Sequence, residues 1–259
     1  MTFSPYTLSG HQFTGGGLEL SPKGGFKFSA MSGRLLKATP AATDPRTQIA
    51  FERMGYGAKI AYDKKKYKIG LIGFYAKDKA GSIPFVPDEQ EIFPKENLVI
   101  SLEGAYQFSP NFKVSAEYAT TTITQDTRAE DNASSQGLAG LFFKGKSSTE
   151  YYKAIKAGFD YTFGKSTLGL AYERIDPGYQ TLGAYYFNND FENITLNSKT
   201  TLFKNKLGLT FNIGYQRDNL NKQKKSASNR AVASVNATFA ASKRLNLTGS
   251  YTILSIKQV

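Results

Sequence analysis

Residues 140–147, Gly-Leu-Phe-Phe-Lys-Gly-Lys-Ser, match the spacing of a phosphate-binding loop, G-x4-G-K-[ST]. Such a loop works between a buried strand and a helix, where backbone N–H groups and the helix N-terminus face the phosphates. Ser147-Ser-Thr-Glu150 could cap that helix. However, the preceding Asp131 to Gly137 is polar loop, Phe142 and Phe143 fill the turn, and the residues after Lys153 alternate as a strand. No parallel βαβ pattern exists in the chain, so the expectation is a loop running into a strand. His11 is the sole histidine. A serine hydrolase needs such a base beside a carboxylate and a poised serine, but no G-x-S-x-G elbow accompanies it. Gly15-Gly16-Gly17 lacks the spacing of a dinucleotide fingerprint and reads as a bulge or close backbone approach.

Carboxylates gather at Asp126, Glu130 and Asp131, and again at Asp190 and Glu192. Neither spacing is that of an EF-hand, so solvated loops are expected in place of a calcium site. Glu103 and Glu117 could be drawn as a glycosidase acid and base. With Lys113, Lys156 and Asp160 on the same face, mutual charge balance is the simpler account. Lys64-Lys65-Lys66 and Lys222-Gln-Lys-Lys225 are basic, but no aromatic interleaving of the kind nucleic-acid readers use accompanies them. N-x-[ST] matches occur at Asn132, Asn193, Asn236 and Asn246; the last two fall inside strands and are read as chance. The expectation is a protein that is not an enzyme and has no catalytic residue, cofactor or metal.

The elements that would position these groups are strands. The chain has 259 residues, 33 Lys+Arg against 21 Asp+Glu, a formal charge of +12, 16 Tyr, 19 Phe, and no Cys or Trp. Without Cys there is no disulfide framework, thiolate zinc site or thiol nucleophile. A 40% hydrophobic fraction is too rich for a disordered chain. No run approaches the roughly 20 apolar residues of a membrane helix. Instead, period-2 alternation runs through the sequence, as in Leu98, Ile100, Leu102, Gly104, Tyr106, Phe108, and in Leu207, Leu209, Phe211, Ile213, Tyr215.

About twelve strands of roughly 9–12 residues are predicted, longer than the common strand of soluble sheets. Tight connections at 22–25, 63–66, 109–111, 164–166, 204–206 and 242–244 alternate with long polar loops near 38–53, 78–96, 125–150, 175–191 and 218–229. All tight turns therefore fall at one end of the sheet. Along the apolar rows of the last eight strands no position is charged, whereas the opposite rows carry Glu103, Lys113, Glu117, Lys156, Asp160, Glu173 and Lys199. This segregation fits an all-β fold, an antiparallel up-and-down transmembrane β-barrel with an apolar face toward lipid and these polar side chains toward the lumen. A soluble barrel would invert the faces, and twelve strands enclose more space than side chains fill. Phe108, Phe112, Phe163, Phe203 and Phe239 lie beside tight turns, where an interfacial girdle is expected.

Several stretches resemble outer-membrane β-barrel proteins of the Bacteroidota type: residues 172–193 (Tyr172-Glu-Arg-Ile-Asp-Pro-Gly-Tyr through Asn193), Gly214-Tyr-Gln-Arg-Asp-Asn-Leu-Asn221, Ser4-Pro-Tyr-Thr-Leu-Ser-Gly10, Arg53-Met-Gly-Tyr-Gly57 and Phe74-Tyr-Ala-Lys-Asp78. The resemblance implies an integral barrel of the Gram-negative outer membrane with large surface loops, and no reaction. The start lacks a signal peptide and the terminal Ile256-Lys-Gln-Val259 lacks the final aromatic that the resemblance implies. The expectation is accordingly one β-barrel domain over 1–259, a fragment of a larger barrel.

The leading functional expectation is a porin-like pore, channel or translocation scaffold with a polar lumen. The alternatives are an outer-membrane anchor whose long loops bind a ligand or partner, and a soluble all-β binding module such as a propeller, whose strands would be shorter and usually carry Trp. Expected partners are outer-membrane lipid and, through the long loops, other envelope proteins, with no nucleic acid.

Overall fold

The computed structural model describes residues 1–40, 48–84, 91–132, 143–242 and 245–258. Twelve strands form one antiparallel sheet in strict sequence order. They are β1 (Thr14–Leu20), β2 (Phe26–Leu36), β3 (Glu52–Asp63), β4 (Tyr67–Lys79), β5 (Glu96–Ser109), β6 (Phe112–Thr124), β7 (Thr149–Phe163), β8 (Ser166–Ile175), β9 (Phe191–Leu202), β10 (Leu207–Asp218), β11 (Ser228–Ser242) and β12 (Leu245–Gln258). The only helical segment among the described residues is a 3-10 turn, Ala80–Ser82. No helix among them is long and apolar enough to cross a membrane. β1 and β12 are the two edges, and no described pairing joins them.

The tight connections fall where the sequence places them. Gly24 and Gly25 take positive φ (116° and 99°) between β1 and β2, as does Gly164 (57°) between β7 and β8. A Cβ on Gly25 would also lie 2.6 Å from the Asp63 carbonyl oxygen, so that turn requires glycine on both counts. The β9–β10 turn instead puts Phe203, Lys204 and Asn205 in the left-handed region. Of the β11–β12 connection, Lys243 and Arg244 lie outside the described residues.

Register makes the two-faced pattern continuous across strands. On one face Tyr106, Val114, Phe159, Leu170, Leu196, Ile213, Ala233 and Ile253 are successive cross-strand partners from β5 to β12, an uncharged row. Most of these side chains are exposed. Aromatic rings on β2 to β7 meet near the tight-turn end: Phe26–Tyr62, Tyr62–Tyr67, Tyr106–Phe108, Phe108–Phe112, Phe112–Phe159 and Tyr161–Phe163, at centroid separations of 4.6 to 6.5 Å. Tyr67 and Tyr106 link the series as cross-strand partners. Of the remaining expected girdle residues, Phe203 projects from its turn and Phe239 sits between Leu207 and Leu247.

The core lies on the other face, near the long loops. Residues 3–11 and the β8–β9 loop (176–190) pack there against strands β2 to β8. Phe3, Leu8 and Leu182 join Met31, Ile72, Phe74, Val99 and Ile123, while Tyr6 and Tyr179 join Ala119, Ala154 and Ile175. Each such burial contributes about 1.5–3 kcal/mol. Two glycines make room: a Cβ on Gly57 would meet the Phe3 ring at 2.4 Å, and one on Gly183 would meet the Thr7 carbonyl oxygen at 2.6 Å.

Candidate functional site

The charged groups sit on the face that also carries this core. Pairing aligns Gly70, Glu103, Glu117, Lys156, Glu173, Asn193, Gln216 and Arg230 as one row across β4 to β11. Two registers nearer the tight turns lies a second row, Gln107, Lys113, Asp160, Gly169 and Asn197. Between them runs a row of small residues, Ala105, Ser115, Gly158 and Ala171. Alternation dictates this placement: residues two apart on a strand share a face, and pairing carries that face to the next strand.

A cavity of about 410 Å³ opens over these rows and is lined by Glu103, Lys113, Glu117, Lys156 and Asp160 together with Lys68 and Asn197. Five of the side chains expected to face a lumen thus converge. Glu173, the cross-strand partner of Lys156, is outside the lining, and its carboxylate accepts a 2.5 Å hydrogen bond from the Tyr6 hydroxyl. Burial and that carboxylate raise the Tyr6 pKa, which keeps the hydroxyl a donor. Lys199 is not in the lining; it occupies the next same-face register toward the tight turns, between Thr167 and Thr210.

Lys59 and Lys68 were absent from the expected set, although their spacing against Tyr56, Ala58, Ile60 and Ile69 places them on the same face. Their ammonium groups lie 2.9 and 3.0 Å from Glu103 Oε1. Lys59 Nζ also donates to the Phe3 carbonyl oxygen at 2.9 Å, tying the N-terminal segment to the charged row. Glu117 accepts from Ser101 Oγ at 2.8 Å. Glu103 and Glu117 are direct cross-strand partners, and the first is neutralised by two lysines, which is an arrangement of charge balance.

Above the cavity, hydrogen bonds fasten the inner segments. Tyr179 Oη donates to the Tyr6 carbonyl oxygen (2.9 Å), Thr181 Oγ1 to that of Thr7 (2.7 Å), and the Leu182 N–H to Asn97 Oδ1 (3.0 Å). His11 stacks on Tyr185 with centroids 4.0 Å apart. Burial lowers its pKa, against a hydrogen bond with the Gln12 carbonyl oxygen that raises it. Among the described residues its ring is hydrogen-bonded to the Gln12 backbone and not to a carboxylate, so the base–carboxylate pair of a triad is not built there. None of these internal contacts is visible in strand periodicity, because they depend on segments that lack it.

The other chemical candidates resolve into loop structure. Of the phosphate-loop match, residues 140–142 lie outside the described residues; the rest leads directly into strand β7, and Lys146 bridges to Asp131 and pairs with its carboxylate. No helix follows, so the phosphate-binding geometry is not built. Asp126 binds Arg128, Asp190 binds Lys224 and the Leu220 N–H, and Glu192 meets Arg217 and Tyr172. Among the described residues no group of three or more His, Cys, Asp or Glu is arranged to hold a metal ion.

No known protein-family model matches the chain, and no curated protein matches it. Solved structures do. The chain is similar to Pseudomonas aeruginosa OccK2 (OpdF), crystallised in complex with glucuronate, at TM-score 0.54 and 12% identity, over 100% of this chain and 71% of that one. It is also similar to P. aeruginosa OccK8 (OprE), at TM-score 0.50 and 13% identity, covering 95% of this chain and 67% of that one. P. aeruginosa OpdK with vanillate gives TM-score 0.50 and 10% identity, over 95% and 64% of the two chains. At such identities the likeness establishes architecture: the chain has the antiparallel up-and-down fold of outer-membrane β-barrel porins.

Proposed function

We propose that this chain is an outer-membrane β-barrel that forms a pore for small hydrophilic solutes. The observation that carries the reading is the segregation of charge: an exposed, uncharged row runs from β5 to β12, and charged rows run across the opposite face. In hydrocarbon the first face is stable and the second must be enclosed with water. The free backbone edges of β1 and β12 are then paired in the membrane, since lipid cannot satisfy them. The assignment to the Bacteroidota type rests on the quoted sequence resemblance, and 1–259 is read as one barrel domain.

At and beside the cavity the polar face carries Lys59, Lys68, Lys113 and Lys156 against Glu103, Glu117, Asp160 and Glu173, so weak ion selectivity is expected. Glucuronate in the OccK2 structure is a solute of the size and polarity that such a lining admits. The test is planar-bilayer recording with detergent-extracted, heat-modifiable protein. Stepwise conductance with little cation or anion preference supports the pore. The anchor reading is favoured by the inner segment 3–11 and loop 176–190, which fill part of the polar face; a folded barrel that passes no current would establish it.

A further inference from the structure

We infer that the cavity is a binding site for dipolar solutes, free amino acids or short peptides, held by carboxylate and ammonium together. This deepens the pore reading and rests on it. Lys113 on β6 is the direct partner of Asp160 on β7, and Glu117 on β6 is the direct partner of Lys156 on β7. The four charges form a checkerboard: each strand carries one sign of each kind, in opposite order. All four line the cavity.

These groups are not consumed by one another. Among the described residues Lys113, Lys156 and Asp160 make no ion pair within 4.0 Å, and Glu117 holds a serine hydroxyl. The neighbouring Glu103, by contrast, already has Lys59 and Lys68. The floor between the rows is Ser115 and Gly158, with Ala105 and Ala171 beside them, so no bulky side chain separates the charges. Four residues along a strand span ~13 Å, and the reach of Lys and Glu side chains reduces the gap to the length of a dipeptide.

The arrangement selects by sign. A simple anion near either lysine meets a carboxylate at the adjacent strand position, and a simple cation near either carboxylate meets a lysine. Only a solute carrying both charges finds each end matched; like-charge juxtaposition weakens binding of singly charged solutes without barring their passage.

The test titrates alanyl-alanine into the detergent-folded full chain by calorimetry. The same-size anion N-acetyl-alanyl-alanine and the cation alanyl-alanine amide are titrated in parallel, and KCl conductance is recorded on the same preparation. The free dipeptide is expected to bind at least about tenfold more tightly than either blocked form, the effect of one charge-assisted hydrogen bond. Lys113→Met with Lys156→Met should abolish the preference over the amide and keep the preference over the N-acetyl form; Lys156→Gln alone should narrow the preference over the amide, should the double variant fail to fold. Conductance with equal binding of the three compounds, or with no binding, overturns the site and leaves the pore. Sign-dependent binding without conductance overturns the pore and leaves the site.

Discussion

Replacing Leu170 by Arg separates a lipid-facing surface from a water-facing one. Leu170 lies near the middle of β8, flanked by Phe159 and Leu196 as cross-strand partners, and its side chain is 46% exposed. If that exposure were to water, the substitution would shift stability by no more than about 0.5 kcal/mol, as at other surface positions. If it is to hydrocarbon at mid-bilayer, an arginine costs about 2–4 kcal/mol. The two environments therefore differ by a factor of roughly ten or more in the folding equilibrium constant. Asn197→Arg, on the same sheet but on the cavity face, serves as the internal control and should cost about 1 kcal/mol or less. Reversible urea titration in phosphatidylcholine vesicles, followed by tyrosine fluorescence and heat-modifiable migration, measures both. Equal costs for the two arginines, or a neutral Leu170→Arg, would refute the assignment of faces.

Three further outcomes are expected. Gly183→Val places a side chain against the Thr7 carbonyl oxygen and the Phe74 ring. It should destabilise docking of residues 3–11 by about 1–3 kcal/mol, read as faster proteolysis before β1 and larger single-channel conductance. Arg53→Leu removes a bidentate partner of Asp78, whose side chain is 3% exposed and keeps, among the described residues, the Lys95 N–H; about 3–5 kcal/mol should be lost in urea titration. The pKa of His11 is lowered by burial, so the released segment binds a proton more readily than the docked one. Docking is therefore complete above the ordinary histidine pKa of about 6.5 and weakens as pH falls through it toward the lowered value. Proteolysis of residues 1–13 should accelerate between pH 7.5 and 5, and His11→Phe should remove that dependence.

The strands and their faces were legible because period-2 alternation is a local property that each strand states for itself. Glu103, Lys113, Glu117, Lys156 and Asp160 could be assigned to one face from spacing alone, and the cavity lining includes all five. Lys59 and Lys68 obeyed the same rule, but in strands whose apolar rows are interrupted by Gly and Ala, so their weight was missed. Lys199 shares their face and lies nearer the tight turns than the cavity, because alternation gives a side and no position along the strand.

Composition and alternation by themselves determined an all-β, two-faced, helix-poor chain with its short turns at one end. Tertiary structure decided what fills the polar face. Segment 3–11 and loop 176–190 have no period, and their positions are set by contacts distant in sequence: Tyr6 with Glu173, Thr7 with Thr181, Phe3 with Gly57 and Lys59. It also decided which charges are spent on each other and which are not. Glu103 on β5 is neutralised by Lys59 of β3 and Lys68 of β4, while the Lys113, Asp160, Glu117 and Lys156 square emerges only when β6 and β7 pair in one register. A shift of β7 by one residue would turn both Lys156 and Asp160 to the other face.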